Sequence, residues 1–212
     1  LVNAEFLAIL AAIAPRLETV KRFVLIEDAP VEGAAPVPLA GEYEALLAAA
    51  SPDYDFPDFD ENAQATTFYT TGTTGLPKGV YFSHRQLVMH TLATAAALGS
   101  APAQGRLHRD DVYMPITPMF HVHAWGVPYI ATLLGLKQVY PGRYAPETLA
   151  RYIQDEKVTF SHCVPTILQM LLTNAEAKAV DLKGWKVIIG GSALPKGLAA
   201  AALERGIDVF AG

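Results

Sequence analysis

The sequence predicts an α/β fold, doubly wound, with a mostly parallel sheet flanked by helices. Three observations carry this. From about residue 65 onward, strand-like segments and segments with helical spacing alternate at least four times. The strand-like segments are apolar runs without strict alternation, the pattern of strands buried on both faces of a sheet. The chain shows no internal repeat, so the alternation builds one open sheet covered by helices rather than a solenoid. In such a sheet, ligands gather at the carboxyl ends of the strands.

The elements follow in order. Residues 6–16 read as a helix because Phe6, Leu7, Leu10, Ile13 and Ala14 recur at three-to-four spacing. RFVLIE at 22–27 reads as a short buried strand, the Pro/Gly/Ala-rich stretch 28–40 as loop, and 41–50 as a short helix. SPDYDFPDFDEN at 51–62 is an acidic connector, so 1–62 forms an incomplete N-terminal α/β portion and 63–212 a second unit. There, strands are expected at 65–71, 79–83, 111–116, 137–140, 159–164, 186–189 and 208–210. Helices are expected at 84–98, with Ser83 as N-cap, and at 122–134, 146–156, 166–174 and 195–204.

Composition narrows the function classes. Apolar residues make up 51%, enough for a filled core, while charged residues are only 17%, which hints at surface normally covered by more protein. The net charge is −5, and no Lys/Arg cluster marks nucleic acid as a partner. One cysteine, Cys163, excludes an intramolecular disulfide and fits a reducing compartment, so a cytoplasmic location is expected. The longest apolar run, 124–136, is broken by Pro128 and too short to cross a bilayer. The start at Leu1 offers no basic segment or cleavage-like site to support a signal peptide.

The most informative stretch is TTGTTGLPKG at 70–79. Gly72 and Gly75 let the backbone turn tightly and present N–H groups inward, which makes an anion nest. Thr70, Thr71, Thr73 and Thr74 add hydroxyls, and Lys78 adds a point charge suited to a polyphosphate. A Walker A loop is excluded, since Pro77 precedes the lysine and a strand, not a helix, follows. A ligand-free hairpin turn would need one glycine, not this hydroxyl-lined repeat.

YTTGTTGLPKGV resembles the signature phosphate loop of the adenylate-forming superfamily, which includes acyl-CoA synthetases, luciferases and peptide-synthetase adenylation domains. PMFHVHAWG at 118–126 and GGSALP at 190–195 are similar to that family's next motifs, in the right order. Together the three segments look most like medium- or long-chain fatty acyl-CoA synthetases.

The resemblance implies a large N-terminal domain in which 63–212 binds nucleotide and acyl group. It implies ATP-dependent activation of a fatty acid to an acyl-adenylate, with AMP later displaced by coenzyme A, and it implies magnesium. Thr70, Thr71, Gly72, Thr73, Thr74, Gly75 and Lys78 would hold the β- and γ-phosphates, with Thr70 on the magnesium side. His121 would sit near the reacting carboxylate. A metal pair with His123 has no third ligand nearby in sequence, and a packing role for both histidines stays open. Gly190, Gly191, Ser192 and Ala193 would let adenine lie flat on main chain, a role compatible with an ordinary strand-to-helix turn. Trp125 and Gly126 would border the acyl pocket. The apolar set Trp125, Gly126, Tyr129, Ile130 and Leu133 has helical spacing, which is equally the mark of a core stripe. His90, His108 and His162 read as surface or packing residues, and Cys163 as a buried, inert thiol.

The sequence ends at FAG, where the family's aromatic-Gly-x-Thr-Glu motif would begin. The chain therefore reads as a fragment expected to be inactive by itself. Activation of another acid, transfer to a carrier-protein thiol, and a nucleotide-binding module without turnover are the alternatives. A homodimer is an assembly left open.

Overall fold

The computed structural model describes residues 1–27, 35–70, 75–101 and 106–212. Four of the phosphate-loop residues named above, Thr71, Gly72, Thr73 and Thr74, lie outside the described residues. The chain divides into two units, Leu1–Asp58 and Phe59–Gly212.

In the first unit, β1 (Val2–Asn3), β2 (Val24–Ile26) and β3 (Gly41–Glu42) form a small parallel sheet in the order β1-β2-β3. Helix α1 (Leu7–Ile13) is extended by 3-10 turns at Ala4–Phe6 and Ala14–Arg16, the second carrying Pro15. Leu7 and Leu10 turn inward on Leu25 and Val37, as their spacing requires. Helix α2 (Tyr43–Ala49) opens on Glu42, whose carboxylate accepts the Ala45 N–H at 2.8 Å.

The second unit contains a hairpin and a sheet. Strands β4 (Gln64–Thr70) and β5 (Lys78–Ser83) pair antiparallel, with Thr70 opposite Lys78. They pair only with each other, in the antiparallel sense that a short connection between neighbours requires. Helix α3 (His84–Ser100) starts with a complete capping box between Ser83 and Gln86. The main sheet is parallel, in the order β10-β9-β8-β6-β7. Its strands are β6 (Val112–Pro115), β7 (Lys137–Gln138), β8 (Phe160–Cys163), β9 (Lys186–Ile189) and β10 (Asp208–Ala211).

Helices cover both faces. Tyr113 and Phe160 pack beneath α3 and α5 (Val127–Leu134), through Leu98, Val127, Ile130 and Ala131. On the other face Met114, Cys163, Val187 and Ile189 meet α6 (Pro146–Asp155), α7 (Pro165–Thr173), α8 (Ala175–Lys178) and α9 (Lys196–Glu204). The doubly wound, mostly parallel reading is what forms. Among the described residues, no helix is long and apolar enough to cross a membrane.

At the amino edge of the sheet, the buried Asp111 carboxylate is fully paired. It accepts from Lys186 Nζ, Thr159 Oγ1 and the His108 N–H, each at 2.7 Å. One side chain thus ties the starts of β6, β8 and β9 together.

The expected helix over 122–134 is not continuous. Its first part is a single left-handed turn, α4 (Val122–Trp125), with φ of 49° at Val122, 51° at His123, 49° at Ala124 and 58° at Trp125. Gly126 follows at φ 74°, and only then does right-handed α5 begin, with Pro128 in its first turn. Trp125 is therefore not in one helical stripe with Ile130 and Leu133. Ile130 is fully buried in the core, whereas Tyr129 and Leu133 face outward.

Candidate active site

The residues singled out in sequence come from three places along the chain, and two of the three sit at the carboxyl edge of the parallel sheet. The segment 116–126 continues from the end of β6, and Gly190, Gly191, Ser192 and Ala193 continue from the end of β9. The Gly190 N–H donates to the Cys163 carbonyl at the end of β8, at 3.1 Å. Gly191 turns the chain at φ 80°, a conformation that suits glycine. Ser192 and Ala193 are exposed beyond the turn, and Pro195 is the N-cap of α9 rather than its first residue.

The left-handed turn brings Trp125 onto this edge. A Cβ on Gly190 would sit 2.8 Å from Trp125 Cη2, and one on Gly191 would sit 3.9 Å from Trp125 Cζ2. Gly190 leaves the space that the indole fills, while a Cβ on Gly191 would crowd Val164 Cγ1 at 3.1 Å. Four consecutive L-residues in the left-handed region cost roughly 1–2 kcal/mol each. The surroundings hold them there: Ala124 is fully buried, its N–H donates to the His121 carbonyl at 3.1 Å, and the Gly126 N–H donates to the His123 carbonyl at 3.0 Å.

Two histidines clamp the turn from either side. His90 Nε2 on α3 lies 3.1 Å from the Trp125 carbonyl. His90 also sits so close over Gly126 that a Cβ there would be 2.5 Å from its Nε2 and would push the ring aside, while the φ of 74° favours glycine in any case. His123 Nε2 lies 3.3 Å from Thr66 Oγ1 on β4, and its ring meets Phe68 edge-on at 5.2 Å. His123 thereby docks the hairpin against the turn. His90, read as a surface or packing residue, is both: it is exposed and packs against Gly126 beside the cavity. Nothing in the sequence pointed it at Gly126.

A cavity of about 240 Å³ opens beside the turn, lined by Phe82, Leu87, His90, Trp125, Gly126 and Tyr129 among others. Leu87 and Tyr129 also line an adjoining groove of about 360 Å³ along α3 and α5, which includes Leu92 and Leu133. Both walls are largely hydrocarbon. Trp125 and Gly126 are thus in the cavity wall, while Ile130 is not.

Beneath Trp125 lies His162 of β8. Its ring centroid is 5.1 Å from that of the indole and 5.7 Å from that of Tyr113, to which it is nearly parallel. The Tyr113 hydroxyl is 2.6 Å from His162 Nε2, while Nδ1 is buried without a partner among the described residues. Burial pushes the imidazole down to about 3, so the ring is neutral, and the same desolvation raises the Tyr113 hydroxyl. Burial also pushes the Cys163 thiol up to about 12, which makes it inert at neutral pH.

Of the phosphate-loop residues, Thr70 and Lys78 close the described end of the hairpin opposite one another, and Gly75 stands between them at φ 100°. Lys78 is exposed and Thr70 half-buried. His121 is exposed, and its N–H donates to the Pro118 carbonyl at 3.0 Å at the entry to the left-handed turn. Among the described residues, no group of three His, Cys, Asp or Glu side chains could hold a metal ion.

A doubly wound α/β sheet with a glycine turn and an apolar cavity at its carboxyl edge defines the class: a ligand-binding α/β domain. The chain belongs to the AMP-binding enzyme family, whose sequence profile matches residues 2–212. It is 40% identical over 214 residues to a long-chain-fatty-acid–CoA ligase of Thermus thermophilus, covering 100% of this chain and 37% of that protein. It is 38% identical over 211 residues to a 3-methylmercaptopropionyl-CoA ligase of Ruegeria lacuscaerulensis, covering 97% of this chain and 38% of that one. The chain therefore spans less than two-fifths of the length of these relatives. Among solved structures, an anthranilate CoA ligase, AuaEII, in complex with anthranoyl-AMP superposes with a TM-score of 0.76 at 20% identity, over 99% of this chain and 40% of that one.

Proposed function

We propose that the protein carrying this chain activates a fatty acid with ATP and transfers the acyl group to coenzyme A. One observation carries the reading: Trp125 lines the apolar cavity and at the same time lies on the Gly190–Gly191 main chain. An acyl-adenylate is a single molecule with an aliphatic tail at one end and a flat purine at the other. A cavity for the tail and the exposed turn beyond Gly190, which we assign to the ring, adjoin here at one residue.

In the first half-reaction a carboxylate oxygen attacks the α-phosphorus and pyrophosphate leaves; in the second, a thiol attacks the acyl carbonyl and AMP leaves. Both partners of the first step are anionic, so the protein's work is positioning and charge neutralisation. Lys78 supplies positive charge at the hairpin end, with Thr70, Gly75 and the neighbouring residues 71–74 as the phosphate cradle. The Thr70 hydroxyl would offer an oxygen to a bound magnesium ion, which would supply further charge neutralisation. We assign His121, exposed at the mouth of the left-handed turn, to the carboxylate. Gly190, Gly191, Ser192 and Ala193 present main chain to adenine, and Trp125 and Gly126 bound the acyl tail.

The relatives favour a fatty acid, and the apolar groove continuing past Leu87 and Tyr129 gives a long tail somewhere to run. A short thioether acid is the second reading, favoured by the Ruegeria relative and by the modest size of the first cavity. ATP–pyrophosphate exchange by the full-length protein, with octanoate, palmitate and 3-methylmercaptopropionate offered separately, decides between them. Exchange with either fatty acid exceeding that with the thioether acid, and thioester formation on adding coenzyme A, is the expected result. No exchange with either fatty acid overturns the proposal.

A further inference from the structure

Trp125 lies between the cavity on one side and the glycine turn on the other, and its indole is packed against that turn. Its carbonyl is held by His90 Nε2 at 3.1 Å, and a further contact reaches the indole itself from beneath, where His162 lies. The contact set is specific. His162 stands on β8, opposite Pro115 of β6 and Ile188 of β9, so its backbone is held by the middle of the sheet. Tyr113, also on β6, reaches up with its hydroxyl to His162 Nε2 at 2.6 Å and lies almost parallel to the imidazole, at 10°. The imidazole in turn meets the indole at 5.1 Å with a 41° tilt. The indole edge then touches Gly190. Rigid sheet, tyrosine, histidine, tryptophan and nucleotide-side turn form one stack.

A buried polar ring with one nitrogen unpartnered is unusual in a core and calls for a reason. A leucine would fill the space but offer neither a flat face to the indole nor an anchor for Tyr113. We infer that His162 is a positioning residue for acyl activation: anchored by Tyr113, it sets the place of the Trp125 indole between the acyl cavity and the Gly190–Gly191 turn. This rests on the acyl-wall reading of Trp125 given above. It makes chain-length preference depend on a residue that does not line the cavity.

The test uses the full-length protein and four variants: Trp125→Ala, Trp125→Phe, His162→Leu and Tyr113→Phe. Two readouts are followed. One is the ratio of kcat/KM between octanoate and palmitate. The other is the ¹⁹F spectrum of 5-fluorotryptophan-labelled protein, in which the Trp125 line is identified by its loss in Trp125→Phe. His162→Leu is expected to shift or broaden that line alone and to change the ratio on the order of threefold to tenfold, the scale of one ring–ring contact. Tyr113→Phe, which keeps the stack and removes the anchor, is expected to act in the same direction and more weakly. If His162→Leu folds poorly, His162→Gln takes its place. If Trp125→Ala changes the ratio while the His162 and Tyr113 variants leave both ratio and line unmoved, the inference is overturned. If Trp125→Ala itself leaves the ratio unchanged, the acyl-wall reading fails instead, whatever the fluorine line shows.

Discussion

The indole of Trp125 rests on the main chain of Gly190, with 2.8 Å between its Cη2 and the place a Cβ would occupy. Gly190 is the first residue after a buried parallel strand, held by its N–H to the neighbouring strand, so it cannot retreat. Trp125 sits at the end of a left-handed turn pinned by His90, so it cannot easily retreat either. The contact joins the segment after β6 to the turn after β9 through packing alone.

Adding a methyl at Gly190 therefore has a definite expected cost. Gly190→Ala should destabilise the full-length protein by about 1–3 kcal/mol, the range for overpacking a filled contact. In a Trp125→Leu background the same change should cost much less. A double-mutant cycle on chemical denaturation measures the difference. Equal costs in both backgrounds would mean that the indole moves aside freely.

At the hairpin end, Lys78→Ala and Thr70→Ala should slow adenylate formation on the order of 10²-fold each, the scale of losing one preorganised charge-stabilising contact. Both groups are assigned to phosphates that depart as pyrophosphate before the thiol reacts. Supplying preformed acyl-adenylate should restore thioester formation. Single-turnover kinetics with and without the adenylate checks this, and slow thioester formation from the adenylate would show that the two residues act elsewhere.

Asp111 and Lys186 give a stability prediction away from the chemistry. Their side chains are 8% and 12% exposed, and the pair is buttressed by Thr159 and the His108 N–H. Lys186→Met leaves a buried carboxylate uncompensated and should cost about 3–5 kcal/mol. Replacing both partners, as in Asp111→Asn with Lys186→Met, should recover part of it. Urea melts of the set check the ordering.

His162 carries a pH signature. Burial holds it at about 3, below the ordinary histidine range. The unfolded chain thus binds a proton that the folded chain refuses as pH falls from about 6.5. Stability from the neutral ring is complete above that pH and is lost on acidification, by up to about 1.4 kcal/mol per pH unit. The His162→Phe variant should show a flatter decline between about pH 6 and pH 4 when denaturation midpoints are compared. An unchanged slope would mean that His162 gains access to water before global unfolding.

Much of this protein was legible in its sequence because the signals are local. Ser83 with Gln86 announces a capping box, and Pro165 announces a helix start. Apolar runs separated by helical stretches are enough to specify a parallel sheet covered on both faces, because no other arrangement buries them. Placement of two of the three motif regions at the carboxyl edge followed from that topology.

The structure alone decided how the motifs touch. Helical spacing over 122–134 could not reveal the left-handed turn, because periodicity counts residues and is blind to the sign of φ. That turn removes Trp125 from the stripe of Ile130 and points it at Gly190. Likewise His90 and His162 look alike in sequence, yet one covers Gly126 on a cavity wall and the other lies fully buried under an indole. Which of these occurs depends on contacts between residues far apart along the chain, and only packing of the sheet, the hairpin and α3 around one another settles them.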